Sequence, residues 1–144
     1  MINIDRIIKS IKQTYKSKSE LMSLFHKYFT SEKIENTLGK EFNKYGFLIC
    51  GMEVPQEGSF SFSVFVKSSN CEVELLVSKV LPFYYVINEV NELAFLTQIS
   101  AIMSSQGYEM IENIDELLKT KLDNTDEMFK YIPNLYYLLF GYDG

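Results

Sequence analysis

Tryptophan is missing from the 144 residues, histidine occurs once, and cysteine only twice. Each scarcity closes off a class of chemistry. Zinc sites draw on several His and Cys ligands, and a catalytic imidazole needs a nucleophile or an orienting carboxylate close by. The lone His26 has neither in its sequence neighbourhood, so it reads as a packed or surface side chain. Cys50 and Cys71 are too few for a disulfide framework, and both are expected to be reduced and structural. No apolar run approaches the ~18 residues of a membrane-crossing helix. The opening Met1, Ile2, Asn3, Ile4, Asp5, Arg6 is not the basic-then-apolar build of a signal peptide, and a cytoplasmic protein is expected.

Motifs that announce catalysis are missing as well. There is no glycine-rich phosphate loop, nucleophile elbow, paired Cys-x-x-Cys or His-Glu-x-x-His. Leu38, Gly39 and Lys40 hold a single glycine with no Ser or Thr after the lysine, which fails as a phosphate-binding loop. No catalytic residue, cofactor or metal ligand is therefore assigned, and an enzyme is not expected.

What the chain does have is apolar and aromatic mass: 47% hydrophobic residues and 15% Phe plus Tyr, enough for one folded domain with a real core. Its middle reads as sheet. Phe60, Phe62, Val64 and Val66 alternate with Ser61, Ser63 and Lys67, and Val73, Leu75 and Val77 alternate with Glu72, Glu74 and Ser78. A period of two predicts strands with one face buried and one wet. A turn at Ser69 and Asn70 places Lys67 opposite Glu72, Val66 opposite Val73 and Val64 opposite Leu75. A one-residue slip would turn Glu72 and Glu74 into the core. A turn through Pro55, Gln56, Glu57 and Gly58 returns an earlier strand, Phe47 to Val54, with Gly51 near Phe62. After Pro82, the residues Phe83 to Ile87 favour a fourth strand, a helix begun at Pro82 being the alternative.

Helical spacing flanks this sheet. Ile4, Ile7, Ile8, Ile11 and Tyr15 predict a helix over residues 3–17. Ser17 with Glu20 forms a capping box for a second, bearing Leu21, Leu24, Phe25, Tyr28 and Phe29. A third follows through Ile34, Leu38 and Phe42 and is closed by Gly46. On the far side, Asn91 caps a helix facing inward through Leu93, Leu96, Ile99 and Met103 and ended by Gly107. Residues 109–122 predict another through Ile111, Ile114, Leu118 and Leu122. Thr125, Asp126 and Glu127 start a last one, which Pro133 interrupts and Asn134 to Phe140 resume, with Leu135, Leu138 and Leu139 packing down. The expected fold is thus α+β: an antiparallel sheet of three to four strands in the middle of the chain, packed by N-terminal and C-terminal helices. One domain spans 1–144, helical over 1–45, sheet over 46–90 and helical over 91–144.

Charge is unevenly spread. Residues 1–45 carry nine basic against five acidic side chains, a balance of +4, and residues 46–144 five against fourteen, a balance of −9. The basic set holds Arg6, Lys9, Lys12, Lys16 and Lys18. It has one Arg and no aromatic-basic motif, and reads as an outer helix face, so no nucleic acid and no membrane is expected as partner. Glu109, Glu112, Asp115, Glu116, Asp123, Asp126 and Glu127 gather seven acids against Lys119 and Lys121, bracketed by Tyr108, Phe129 and Tyr131. Acids on a helix face serve solubility, and the same acids with aromatic anchors suit a fast, tight complex with a basic protein. Both readings stand at this level.

A small acidic α+β chain with no active-site residues and an acidic, aromatic-flanked stretch from Tyr108 to Tyr131 resembles the immunity proteins of bacterial toxin systems, contact-dependent growth inhibition among them. The resemblance implies a monomer that neutralises a cognate toxin domain, a nuclease for example, by covering its basic site. Tyr108, Glu109, Glu112, Asp115, Glu116, Asp123, Asp126, Glu127 and Tyr131 would form the partner-binding surface. A second resemblance, to small acidic secretion chaperones, implies a dimer holding an extended effector segment. This chain departs from them in placing three predicted helices before the strands. A hydrolase using its acids with a metal is a third class, and would respond to added Mg²⁺, Mn²⁺ or Ca²⁺.

Overall fold

The computed structural model describes residues 4–14, 32–53, 61–79, 81–87, 92–121 and 134–141. In chain order these form α1 (Ile4–Thr14), α2 (Glu32–Lys44), β1 (Leu48–Glu53), β2 (Ser61–Lys67), β3 (Glu72–Ser78), β4 (Phe83–Val86), α3 (Leu93–Ser105), β5 (Glu109–Met110), α4 (Ile114–Lys119) and α5 (Leu135–Phe140). The expected helix over Leu21 to Phe29, the turn at residues 55–58, Phe60, the Asn91 cap and the start at Thr125 lie outside the described residues.

The α+β class holds, with a larger sheet than expected. Five strands stand in the order β1-β2-β3-β4-β5, antiparallel except for the parallel pair β4 and β5. The fourth strand forms as its strand-rich sequence suggested, Tyr84 facing Val77 and Val86 facing Leu75. The fifth is the correction. Glu109 and Met110, read as the start of a helix, instead pair with Phe83 and Tyr84, and Glu109 N–H donates to Pro82 O while Ile111 N–H donates to Tyr84 O. Two residues are too short to show a period, so nothing local marked them as strand.

The central hairpin has the expected register: Lys67 opposite Glu72, Val66 opposite Val73 and Val64 opposite Leu75. Its turn is pinned by Ser68, whose Oγ accepts the Cys71 N–H at 3.1 Å. The β1 register differs. Gly51 stands beside Phe65, not Phe62 as expected: the pairing is already two places away from the expected one at Leu48 and Lys67, and a bulge between Ile49 and Gly51 adds one more.

Helices cover both faces of this sheet. On one, Leu38 and Phe42 of α2 and Phe95, Ile99, Ile102 and Met103 of α3 pack on Phe62, Val64, Val66, Val73, Leu75 and Val77. Phe47 meets the Phe95 ring edge-on at 5.1 Å. The opposite face, expected to be wet, is half covered: Ile7 and Ile11 of α1 with Leu135, Leu138, Leu139 and Phe140 of α5 bury Leu76 and Phe83. Ser61 and Ser78 are buried on that face and hydrogen-bonded, Ser61 Oγ donating to Phe140 O at 2.7 Å and Ser78 Oγ accepting the Leu81 N–H at 3.1 Å. Alternation of Ser with apolar residues signalled water, and the structure answered it with backbone partners, a carbonyl for Ser61 and an N–H for Ser78.

Glycines end the helices. Gly46 and Gly107 adopt φ of 79° and 87°, and in each case the next residue's N–H closes back on the helix, Phe47 to Phe42 O and Tyr108 to Met103 O. The expected inward face of α3 needs one amendment: Leu93 is 77% exposed, while Phe95 and Ile102 take the buried positions beside Ile99 and Met103. Among the described residues no helix is long and apolar enough to cross a membrane.

Candidate functional site

The acidic stretch breaks into a strand, a turn and one short helix, which scatters its expected face. Asn113 caps α4, its side chain accepting the Glu116 N–H at 3.3 Å, so Asp115 and Glu116 occupy the first turn, where the helix dipole favours negative charge. Leu117 turns inward and is fully buried, whereas Leu118, expected inside, is 36% exposed. Thr120 ends the helix by donating its hydroxyl to Glu116 O at 2.7 Å, and its own carbonyl accepts the Leu135 N–H at 2.9 Å, which ties α4 to α5.

Of the nine expected partner-binding residues, Glu112, Asp115 and Glu116 are exposed and close together around the start of α4. Glu109 stands on β5, and its carboxylate is ion-paired with Arg6 of α1. It is therefore already neutralised by the chain's own basic helix. Tyr108, expected as an aromatic anchor, is half-buried. It packs against the α2/α3 core, and burial pushes its phenol above the usual tyrosine range. Asp123, Asp126, Glu127 and Tyr131 lie outside the described residues. Among the described residues, no three His, Cys, Asp or Glu side chains gather into a group that could hold a metal ion.

Sequence reasoning passed over a second surface. On the half-covered sheet face, Gly51, Phe65 and Glu74 stand side by side, with Ile87 next to them donating its N–H to Glu74 O; Leu48, Lys67 and Glu72 form the adjacent row. Leu48 is 61% exposed and Ile87 36%, with Lys67 and Glu72 also open to solvent. The signal was in the alternation itself: Phe65 falls on the face assigned to Ser61, Ser63 and Lys67. Cys50, expected to be structural, is exposed at the bulge of β1, its Sγ donating to Phe65 O at 3.4 Å, and both cysteines are free thiols.

Comparison of the chain with protein-family models, with curated proteins and with solved structures finds no match.

Proposed function

We propose that this chain is an immunity protein, a non-catalytic inhibitor that binds a cognate bacterial toxin domain of basic character. The observation that carries the reading is the exposed group Glu112, Asp115 and Glu116, with no ion pair to any of them among the described residues. Unpaired acids at a helix start keep their field for a partner, which raises association rates to as much as ~10⁸ M⁻¹s⁻¹ or more at low salt. The charge balance supports it, since the acids concentrate in residues 46–144.

The test is an affinity pull-down of the tagged protein from its native host, washed at low and high salt, with mass spectrometry of what is retained. The expected result is one stoichiometric partner, the basic domain of a large exported protein. Replacing Glu112 by Lys, Asp115 by Asn and Glu116 by Gln should then slow association and flatten its salt dependence. Neutral replacements at the last two positions avoid placing cations on the N-terminus of α4. Unchanged kinetics would remove these acids from the interface.

One observation favours the chaperone reading. No strand pairs with the outer edge of β1 among the described residues, and an extended effector segment could add there as a further strand. Recovery of an effector held by an unfolded N-terminal region, together with a dimeric state, would move the proposal to that class.

A further inference from the structure

An interface is held by a few apolar or aromatic anchors, with charges around them setting rate and register. Beside the acids at α4, the one flanking aromatic among the described residues, Tyr108, is half-buried against the α2/α3 core. The open half of the sheet has both parts of this pattern. Phe65 lies at its centre beside Gly51, where an added Cβ would only touch the ring at 3.5 Å, an ordinary contact. Leu48 on one flank and Ile87 on the other extend the apolar surface. Glu53, Glu72 and Glu74 share this side of the sheet with a single cation, Lys67, and none of the four makes an ion pair among the described residues.

Resting on the immunity reading, we infer that the sheet surface of Leu48, Phe65 and Ile87, rimmed by Glu53, Glu72 and Glu74, is where the basic partner domain docks. The occupant follows from charge. A second copy placed face to face would bring three acids against three with only the two lysines to offset them, whereas Lys or Arg side chains around an apolar patch would meet all three carboxylates. The surface spans β1 to β4, a breadth that suits the side of a folded domain. The acids at α4 then steer the approach, and this face provides the anchor.

The experiment takes the partner domain recovered with the wild-type protein, purifies it, and titrates it against two variants: Leu48→Ala with Glu72→Gln, and Glu112→Lys. The first is expected to weaken binding by about tenfold or more, mainly through faster dissociation, while the second changes mainly the association rate. The reverse result, dissociation altered only by Glu112→Lys, would overturn the docking surface and leave the immunity reading intact. Two other occupants are tested alongside. A fall in the unfolding midpoint of the Leu48→Ala, Glu72→Gln variant well beyond that of Glu72→Gln alone, which loses the Lys67 pairing, would mean that the chain itself covers this face. A wild-type dimer that this variant dissociates would assign it to a second copy. Either overturns the inference, and absence of any stoichiometric partner overturns the immunity reading with it.

Discussion

Gly39 and Gly46 answer the same substitution with opposite signs. Gly39 lies within α2, and a Cβ there would meet Ile49 Cδ1 at 3.9 Å, an ordinary contact. Gly39→Ala should therefore stabilise the protein by about 0.5–1 kcal/mol, seen as a higher urea midpoint. Gly46 has open space around it but a φ of 79°, so Gly46→Ala should destabilise by roughly 1–2 kcal/mol through backbone strain alone. Tyr108 gives a prediction in pH. Burial raises its folded-state pKa above that of the unfolded chain, so its contribution is fully present below about pH 10 and is lost as pH rises through the folded value. Tyr108→Phe keeps the ring and removes the ionisation. The variant should lose less stability than the wild type between pH 9 and 11, in a range where chemical denaturation can be followed at each pH. Tyr84, raised by burial against an opposing hydrogen bond with Ser100, and Lys79, lowered by burial, are common to both proteins and cancel in the comparison.

At the scale of elements, the β2/β3 register and the two short C-terminal helices are the features open to test. Lys67 and Glu72 face each other across the hairpin, and opposite charges there contribute roughly 0.2–1 kcal/mol. Lys67→Glu should destabilise by that order, and Lys67→Glu with Glu72→Lys should recover most of it. A double-mutant cycle that shows no coupling would remove the pair as a register device. Helix α5 is one turn and a half, too short to stand by propensity, yet Leu135, Leu138, Leu139 and Phe140 are all buried. Its start depends on Asn134, whose Oδ1 accepts the Tyr137 N–H at 2.9 Å. Asn134→Ala should cost about 1 kcal/mol in equilibrium unfolding, and a cost near zero would mean that packing alone holds the helix. The features that sequence period located well are the start of α1 and the hairpin strands with their register. Those it missed, β5 and the split of residues 109–122, are short and owe their form to neighbours already in place.

For the whole molecule, the arrangement is a sheet with one fully covered face and one half-covered face. Helices α2 and α3 complete the first, and α1 with α5 cover the end of the second near Ser61, Leu76 and Phe83. The Arg6–Glu109 pair joins α1 to β5 across that end, linking the basic N-terminal segment to the acidic one. Being largely exposed, it should contribute no more than about 1 kcal/mol, and its larger effect is to take one carboxylate out of the field that α4 presents. Glu112→Lys should thus leave the unfolding midpoint nearly unchanged, while Asp115→Asn and Glu116→Gln should each cost about 0.3–1 kcal/mol by losing the interaction with the helix dipole, since all three side chains are exposed and their change opens no cavity.

By itself, the sequence determined the features that local spacing and turn chemistry dictate. These are the α1 stripe, the hairpin pairing of Lys67 with Glu72, the glycine-terminated helices and the Asn134 start of α5, whereas the choice between strand and helix after Pro82 was made by pairing with β3. It also located the acids, because charge needs no fold to be counted. Only the tertiary structure decided which of them are free. Glu109 is claimed by Arg6 and Tyr108 is half-buried against the α2/α3 core, two outcomes that local spacing does not show. Only it decided, too, that Ser61 and Ser78 lie buried while Leu48 and Ile87 stand open. Alternation tells which residues share a face of a strand, and burial depends on what the rest of the chain lays over that face.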